Sequence, residues 1–367
     1  MILLIQSDTT SRLNNIKEKV ENNVRLSMED GLFLYNSEDL LTIGELANQA
    51  NLKKNGKKTY FVENMSLYFT NVCEATCAFC HFKRKPGEDG AYTNSPMEMV
   101  EQVKERITPN VKEFHITGGH NTEVPFDYYV DSIRTLKEHF PDVTIKAYTG
   151  AEIEFFSRQS GLSYKEVLNK LKDAGLSSLT GGGAEILSER YRKKMSVNKA
   201  TTEQWLDVHR SAHSLGIPTH ATMLYGSIET LEERLQHMIY LRELQDETNG
   251  FLVFIPLAVQ PKSTNSKITK RTSAVEDLKT IAISRLMLDN FQHIKSYFIT
   301  LGTQVAQLAL NFGASDIHGT LIEERISHSA GALSPKGLTR DELVYLVKEA
   351  NRIPVERDTL YNELKTY

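Results

Sequence analysis

PTHATMLYGSIETLEERLQHMIYLRELQDE, residues 218–247, decides the fold class. Its first part, as far as Tyr225, is a run of apolar, aromatic and β-branched residues that Gly226 stops. Such a run reads as a buried strand. From Leu231 the apolar residues return at three- and four-residue spacing, the period of an amphipathic helix. A strand that feeds straight into a helix is the repeating unit of an α/β fold. The unit recurs along the chain. Strand-like runs stand at SLYFTNV (66–72), KEFHITGG (112–119), VTIKAYTG (143–150), LSSLTGGG (176–183), GFLVFIPLA (250–258), SYFITLG (296–302) and ALNFGASDI (309–317). Helical stretches such as PFDYYVDSIRTLKEHF, YKEVLNKLKDAG and TEQWLDVHRSAHSLG lie between them. Eight strand–helix units in order predict a (β/α)8 barrel of TIM type with a parallel inner sheet.

Two further segments flank these units. Residues 1–60 carry helical patterns (SRLNNIKEKVENNV, EDLLTIGELANQANLKK) and predict an N-terminal helical extension packed on the barrel. Residues 61–367 form the barrel with C-terminal helices, among them a closing helix in TRDELVYLVKEANR. With 40% hydrophobic and 25% charged residues over 367 positions, the composition is that of a globular protein able to bury a large core. A net charge of -4 gives no electrostatic footprint for nucleic acid. No apolar run reaches the roughly 20 residues of a membrane helix. The start, MILLIQSDTT, has neither a basic segment nor a small-residue cleavage site, so the chain is expected in the cytoplasm.

All 3 cysteines of the chain fall within CEATCAFCHF, residues 73–82. Short gaps and an odd count argue against a disulfide framework. A structural zinc site wants four ligands, usually as two separated pairs, and His81 directly after Cys80 is poorly placed to be the fourth. Three thiolates at Cys73, Cys77 and Cys80 suit a [4Fe–4S] cluster with one iron left open.

This Cys-x3-Cys-x2-Cys spacing, with Phe79 just before the third cysteine, resembles the signature of the radical S-adenosylmethionine (SAM) superfamily. The resemblance implies that SAM chelates the open iron and is cleaved to a 5'-deoxyadenosyl radical. It also assigns expected roles at the strand ends, where a barrel keeps its chemistry. Gly118 and Gly119 of ITGGH match the glycine-rich motif that faces the methionine amino group, with His120 where an acidic residue is usual. Glu185 of GGGAE is read as an acceptor for ribose hydroxyls, against the plain alternative of a first-turn helix carboxylate. Tyr225, Gly226 and Glu229 are expected near the adenine, with Tyr225 grouped with the cysteines as catalytic. Among the 11 histidines, those in helical stretches read as packing or surface residues. His81, His120, His220 and His115 are open between substrate contact and structure, and Trp205 reads as helix packing.

GEDGAYT, GGGAEIL, HATMLYGSIETLEERLQHMIYLRELQDET, FIPLA and PVERDTLYNEL narrow the resemblance to the branch holding the futalosine-pathway menaquinone enzymes and the deazaflavin synthase subunits. Within it the chain is most similar to the aminofutalosine synthases. The similarity implies a transferase that adds the adenosyl radical to the vinyl double bond of 3-[(1-carboxyvinyl)oxy]benzoate. Rearrangement and decarboxylation then give 6-amino-6-deoxyfutalosine and methionine, so SAM is consumed. Expected partners are that aromatic enolpyruvyl dicarboxylate and a reducing donor of flavodoxin or ferredoxin type. Arginine suits a dicarboxylate by its bidentate geometry, and Arg84 and Arg158 are the candidates. The alternatives are the dehypoxanthine futalosine cyclase, a deazaflavin synthase-like enzyme, a zinc lyase on the same barrel and a non-catalytic iron–sulfur protein.

Overall fold

The structure, a computed structural model, describes residues 2–261 and 270–367. Met1 of the expected extension and residues 262–269 of the expected barrel lie outside the described residues. Eight parallel strands run in chain order around a barrel: β1 (Asn64–Tyr68), β2 (Glu113–Thr117), β3 (Thr144–Thr149), β4 (Leu176–Thr180), β5 (Thr219–Tyr225), β6 (Phe251–Ala258), β7 (His293–Ile294) and β8 (Asp316–Gly319). The ring closes through a parallel bridge of Lys295 with Asp316 and another of Met65 with Ile322. The register sets Ser66 beside His115 and His115 beside Lys146, so these three side chains share one level of the lumen. Helices follow the strands and bury their apolar stripes against them. Val167, Leu168 and Leu171 of Tyr164–Asp173 and Leu235, Met238 and Leu241 of Leu231–Thr248 are all fully buried. Each such side chain contributes about 1.5–3 kcal/mol on burial. Capping boxes start many of these helices, for example Thr149 with Glu152 and Thr230 with Glu233.

Two strands differ from expectation. SYFITLG holds a short helix, Phe298–Leu301, and the seventh strand is only His293–Ile294 just before it. Its apolar run is buried as a helical plug, with Phe298 and Ile299 at most 1% exposed. The first residue of ALNFGASDI ends a helix, Thr303–Ala309, and a turn follows, so β8 starts only at Asp316. A sheet that sequence patterning did not suggest backs the barrel. Lys58–Val62 lies between β8 and Ile353–Arg357, and Glu363–Thr366 pairs antiparallel at its edge. PVERDTLYNEL builds this sheet, and it drives Arg357 to full burial against Asp316, 2.7 Å away. Of the N-terminal helices, Met28–Asn36 and Leu40–Asn55 put Leu34, Ile43 and Leu46 into the same core as Ile281 and Phe312. No described helix is long and apolar enough to cross a membrane.

Candidate active site

The cysteine loop lies across the C-terminal mouth of the barrel and is tied down at several points. Cys73 N–H donates to the Arg84 carbonyl at 3.0 Å, Glu74 N–H to the His120 carbonyl at 2.9 Å and Ala78 N–H to the Met195 carbonyl at 2.9 Å. Thr76 and Cys77 pair antiparallel with Val197 and Ser196. Glycine is required beneath the loop: a Cβ on Gly119 would stand 2.0 Å from the Val72 carbonyl oxygen. His120 N–H donates to Cys73 Sγ at 3.3 Å.

All three cysteines are free and face one cavity. Burial pushes the Cys77 thiol up to about 12 and raises Cys73 as well, against the pull of Lys199 on both. Thiols held this way are poor thiolates on their own, and a bound cation that takes them as ligands reverses that balance. Among the described residues no three His, Cys, Asp or Glu side chains converge as ligands of a single ion. A cluster that takes one thiolate on each of three irons does not call for such convergence. The donor set and its placement therefore fit an iron–sulfur group.

The wall opposite the loop comes from the ends of β3 and β4. Glu185 sits in the left-handed region, at φ 44°, an uncommon conformation for a non-glycine residue that the site retains. Its Oε1 accepts from Lys199 Nζ at 2.8 Å, while Oε2 is buried without a hydrogen bond, in an ion pair with Arg192 at 3.8 Å. Burial alone lowers Lys199, but Cys77 and Glu185 hold it above the ordinary lysine range. Glu152 caps its own helix by accepting from Thr149 N–H at 2.7 Å, and its Oε1 is buried in the same cavity without a partner. Burial pushes Glu152 up to about 7. His120 is buried, stacks on Phe155 with ring centroids 5.0 Å apart, and leaves Nδ1 unpartnered.

The expected residues divide. Cys73, Cys77, Phe79, Cys80, Gly118, His120, Glu185 and His220 line one cavity. Tyr225 does not: its hydroxyl donates to Asp277 Oδ1 at 2.7 Å, away from the lumen. Strand parity explains this, since His220, Thr222 and Leu224 face inward and Tyr225 falls on the other face. Gly226 and Glu229 close the turn after β5. Glu229 accepts from Gly226 and Ser227 N–H groups and from Arg234. His81 and Arg84 line a neighbouring cavity instead. The Arg84 guanidinium donates to the carbonyls of His81, Lys83 and Asp89 and so braces the cysteine loop. Arg158 pairs with Glu74 on the outside. Trp205 is fully buried, as a packing residue.

Sequence patterning missed Glu152, Lys199, Lys146 and His318, all in the cavity wall. The alternation of VTIKAYT, with Lys146 on the parity of the strand's inward face, was the one available signal. Beside the main cavity opens a smaller chamber with Leu224, Leu257 and Val259 in its wall.

The profile of the Radical SAM superfamily matches residues 67–241, and that of the CofH/MqnC C-terminal region matches residues 248–366. The chain is 52% identical to an aminodeoxyfutalosine synthase of Thermus thermophilus, over 97% of both chains. The chain belongs to the aminodeoxyfutalosine synthase family of radical SAM enzymes. A Streptomyces coelicolor synthase is 43% identical over 96% of this chain and 94% of its own. The cyclic dehypoxanthine futalosine synthase of Halalkalibacterium halodurans is more distant, at 36% identity over 97% of this chain and 96% of its own. Among solved structures, methylornithine synthase superposes with a TM-score of 0.73 at 18% identity, covering 92% of this chain and 97% of that one, and shares the fold. Membership of the radical SAM family implies an iron–sulfur cluster and SAM.

Proposed function

We propose that this aminodeoxyfutalosine synthase family enzyme joins the adenosyl group of SAM to 3-[(1-carboxyvinyl)oxy]benzoate. The products are 6-amino-6-deoxyfutalosine, methionine and the enolpyruvyl carboxylate as bicarbonate or carbon dioxide. That makes it a transferase. Cys73, Cys77 and Cys80 would hold a [4Fe–4S] cluster, which when bound supplies the electron that cleaves SAM. The electron comes from a donor of flavodoxin or ferredoxin type.

The chain's own residues bind and orient. Oε2 of Glu185, which makes no hydrogen bond within the chain, accepts from the ribose hydroxyls, and Lys199 and Arg192 hold that carboxylate in place. The unpartnered Oε1 of Glu152 is an acceptor for a cationic group of the ligand. The apolar chamber at Leu224 and Leu257 excludes water from the reacting carbon atoms. Its walls also hold the vinyl group in reach of the adenosyl carbon.

The observation that carries this reading is the 52% identity over 97% of both chains to a named synthase. The test is mass spectrometry after turnover with adenosyl-labelled SAM and the enolpyruvyl benzoate. Label is expected in a product that is heavier than adenosine and has lost one carboxylate. Label found only in 5'-deoxyadenosine, with dehypoxanthine futalosine consumed instead, would assign the chain to the cyclase.

A further inference from the structure

A buried network of basic groups and carboxylates lies under the floor of the cavity. Lys146 pairs with Glu113 at 2.5 Å, Arg357 with Asp316 at 2.7 Å and Lys295 with the same Asp316 at 3.5 Å, all fully or almost fully buried. Lys146 and Arg357 thus match the two carboxylates, and Lys295, which burial pushes down to about 7, stands as a third basic group beside Asp316. Buried charge is costly unless it is matched, so an anion placed beside Lys146 and Lys295 is favoured and keeps Lys295 protonated.

Above this network stand three histidines. His115 Nδ1 and His220 Nε2 are buried with no hydrogen-bond partner. His318 Nδ1 lies 3.0 Å from Lys295 Nζ. Burial first, and Lys146 with Lys295 next, keep all three rings neutral. Lys146, His115, His220 and His318 all line the cavity that the cysteines close from above. No arginine lines that cavity among the described residues.

We infer that this floor is a carboxylate subsite, in which His115, His220 and Lys146 receive the ring carboxylate of the benzoate substrate. The inference rests on the function proposed above. Of the two carboxylates on that substrate, the enolpyruvyl one is bonded to the reacting vinyl carbon and must stay near the nucleoside. The ring carboxylate lies across the arene and is the one that reaches down to the floor. The subsite also fixes which end of the substrate enters first. His318 and Lys295 act behind it as positioning residues.

Calorimetric titration of the full chain, reconstituted anaerobically and without reductant in the presence of SAM, tests this. The probes are 3-[(1-carboxyvinyl)oxy]benzoate and its ring carboxamide. The unmodified enzyme is expected to bind the acid on the order of 100-fold more tightly than the amide, the scale of charge-assisted hydrogen bonds. His115→Leu and His220→Leu should each cost the acid on the order of 10-fold, leave the amide nearly unchanged, and leave SAM binding intact. Equal binding of acid and amide by the unmodified enzyme, or an unchanged ratio in both variants, overturns the subsite while turnover of the acid keeps the proposed function standing. An enzyme that cleaves SAM yet neither binds nor converts the acid overturns the function, and this subsite with it.

Discussion

Lys199 donates to Glu185 Oε1 at 2.8 Å, and this contact joins the cysteine loop to the cavity wall after β4. Lys199 follows the segment whose Val197 and Ser196 pair with Thr76 and Cys77. Glu185 ends the glycine run after β4. The pair also explains how two buried charges are tolerated beside thiols that burial pushes up.

Glu185→Gln keeps an acceptor for Lys199 but loses the charge that ribose hydroxyls would meet. SAM binding should weaken by about 1–3 kcal/mol. Lys199 keeps a hydrogen bond and loses its counter-charge, so the melting temperature should also fall, by a few degrees. Equilibrium binding and thermal unfolding on the same preparations check both. A large loss of stability with SAM affinity unchanged would leave Glu185 as a structural partner of Lys199 only.

Cys77→Ala should abolish SAM cleavage and lower the iron content well below the about four atoms per chain of a full cluster. The fold should survive. The barrel core lies between the strands and the outer helices, and Cys77 belongs to neither of its hydrophobic clusters. Iron analysis and circular dichroism read the two effects separately. A variant that cleaves SAM at the unmodified rate would remove this cysteine from the cluster.

Much of this arrangement is legible in the sequence where the signal is local. The β2 to β6 units each show an apolar strand ended by glycine or a polar turn, and the cysteine spacing is contained in a few residues. Non-local features are not legible. His293–Ile294 is too short to show a period, and its place in the ring is set by its neighbours. The sheet of Lys58–Val62 with Ile353–Arg357 joins segments from the two ends of the chain. Lys146 on a strand reads as a solvent-facing residue until the strand is closed into a barrel whose lumen is polar. Tyr225 shows the opposite error, because alternation from His220 already sends it outward.

Lys146 and Glu113 give a third expectation. Both are buried, and the contact is 2.5 Å. Lys146→Met leaves a carboxylate in the lumen that Asn64 alone still serves. It should cost about 3–5 kcal/mol of stability. Adding Glu113→Gln should restore a large part of that loss, so the double-mutant cycle in urea should show strong coupling. Additive losses would mean that Arg357 and Lys295, not Lys146, balance Glu113.

Glu152 supplies the last expectation, through pH. Burial is the main cause that pushes it from 4.5 to about 7; hydrogen bonds from Thr149, the charge of Lys199 and the Gly118 backbone oppose the rise. Between these two values the folded chain holds a proton that the unfolded chain has lost. Stability from this group is therefore complete below pH 4.5 and is lost as pH rises towards and through 7. The shift corresponds to about 3 kcal/mol over the window. Glu152→Gln carries no titrating group and can still accept from Thr149 N–H, so it should match the parent near pH 5 and exceed it near pH 8. Urea unfolding of both proteins without SAM, at the two pH values, measures the difference with all other titrating groups in common. Parallel pH profiles for parent and variant would mean that Glu152 is already ionised in the folded state. In that case Glu152 would present a carboxylate to the cavity before any ligand arrives.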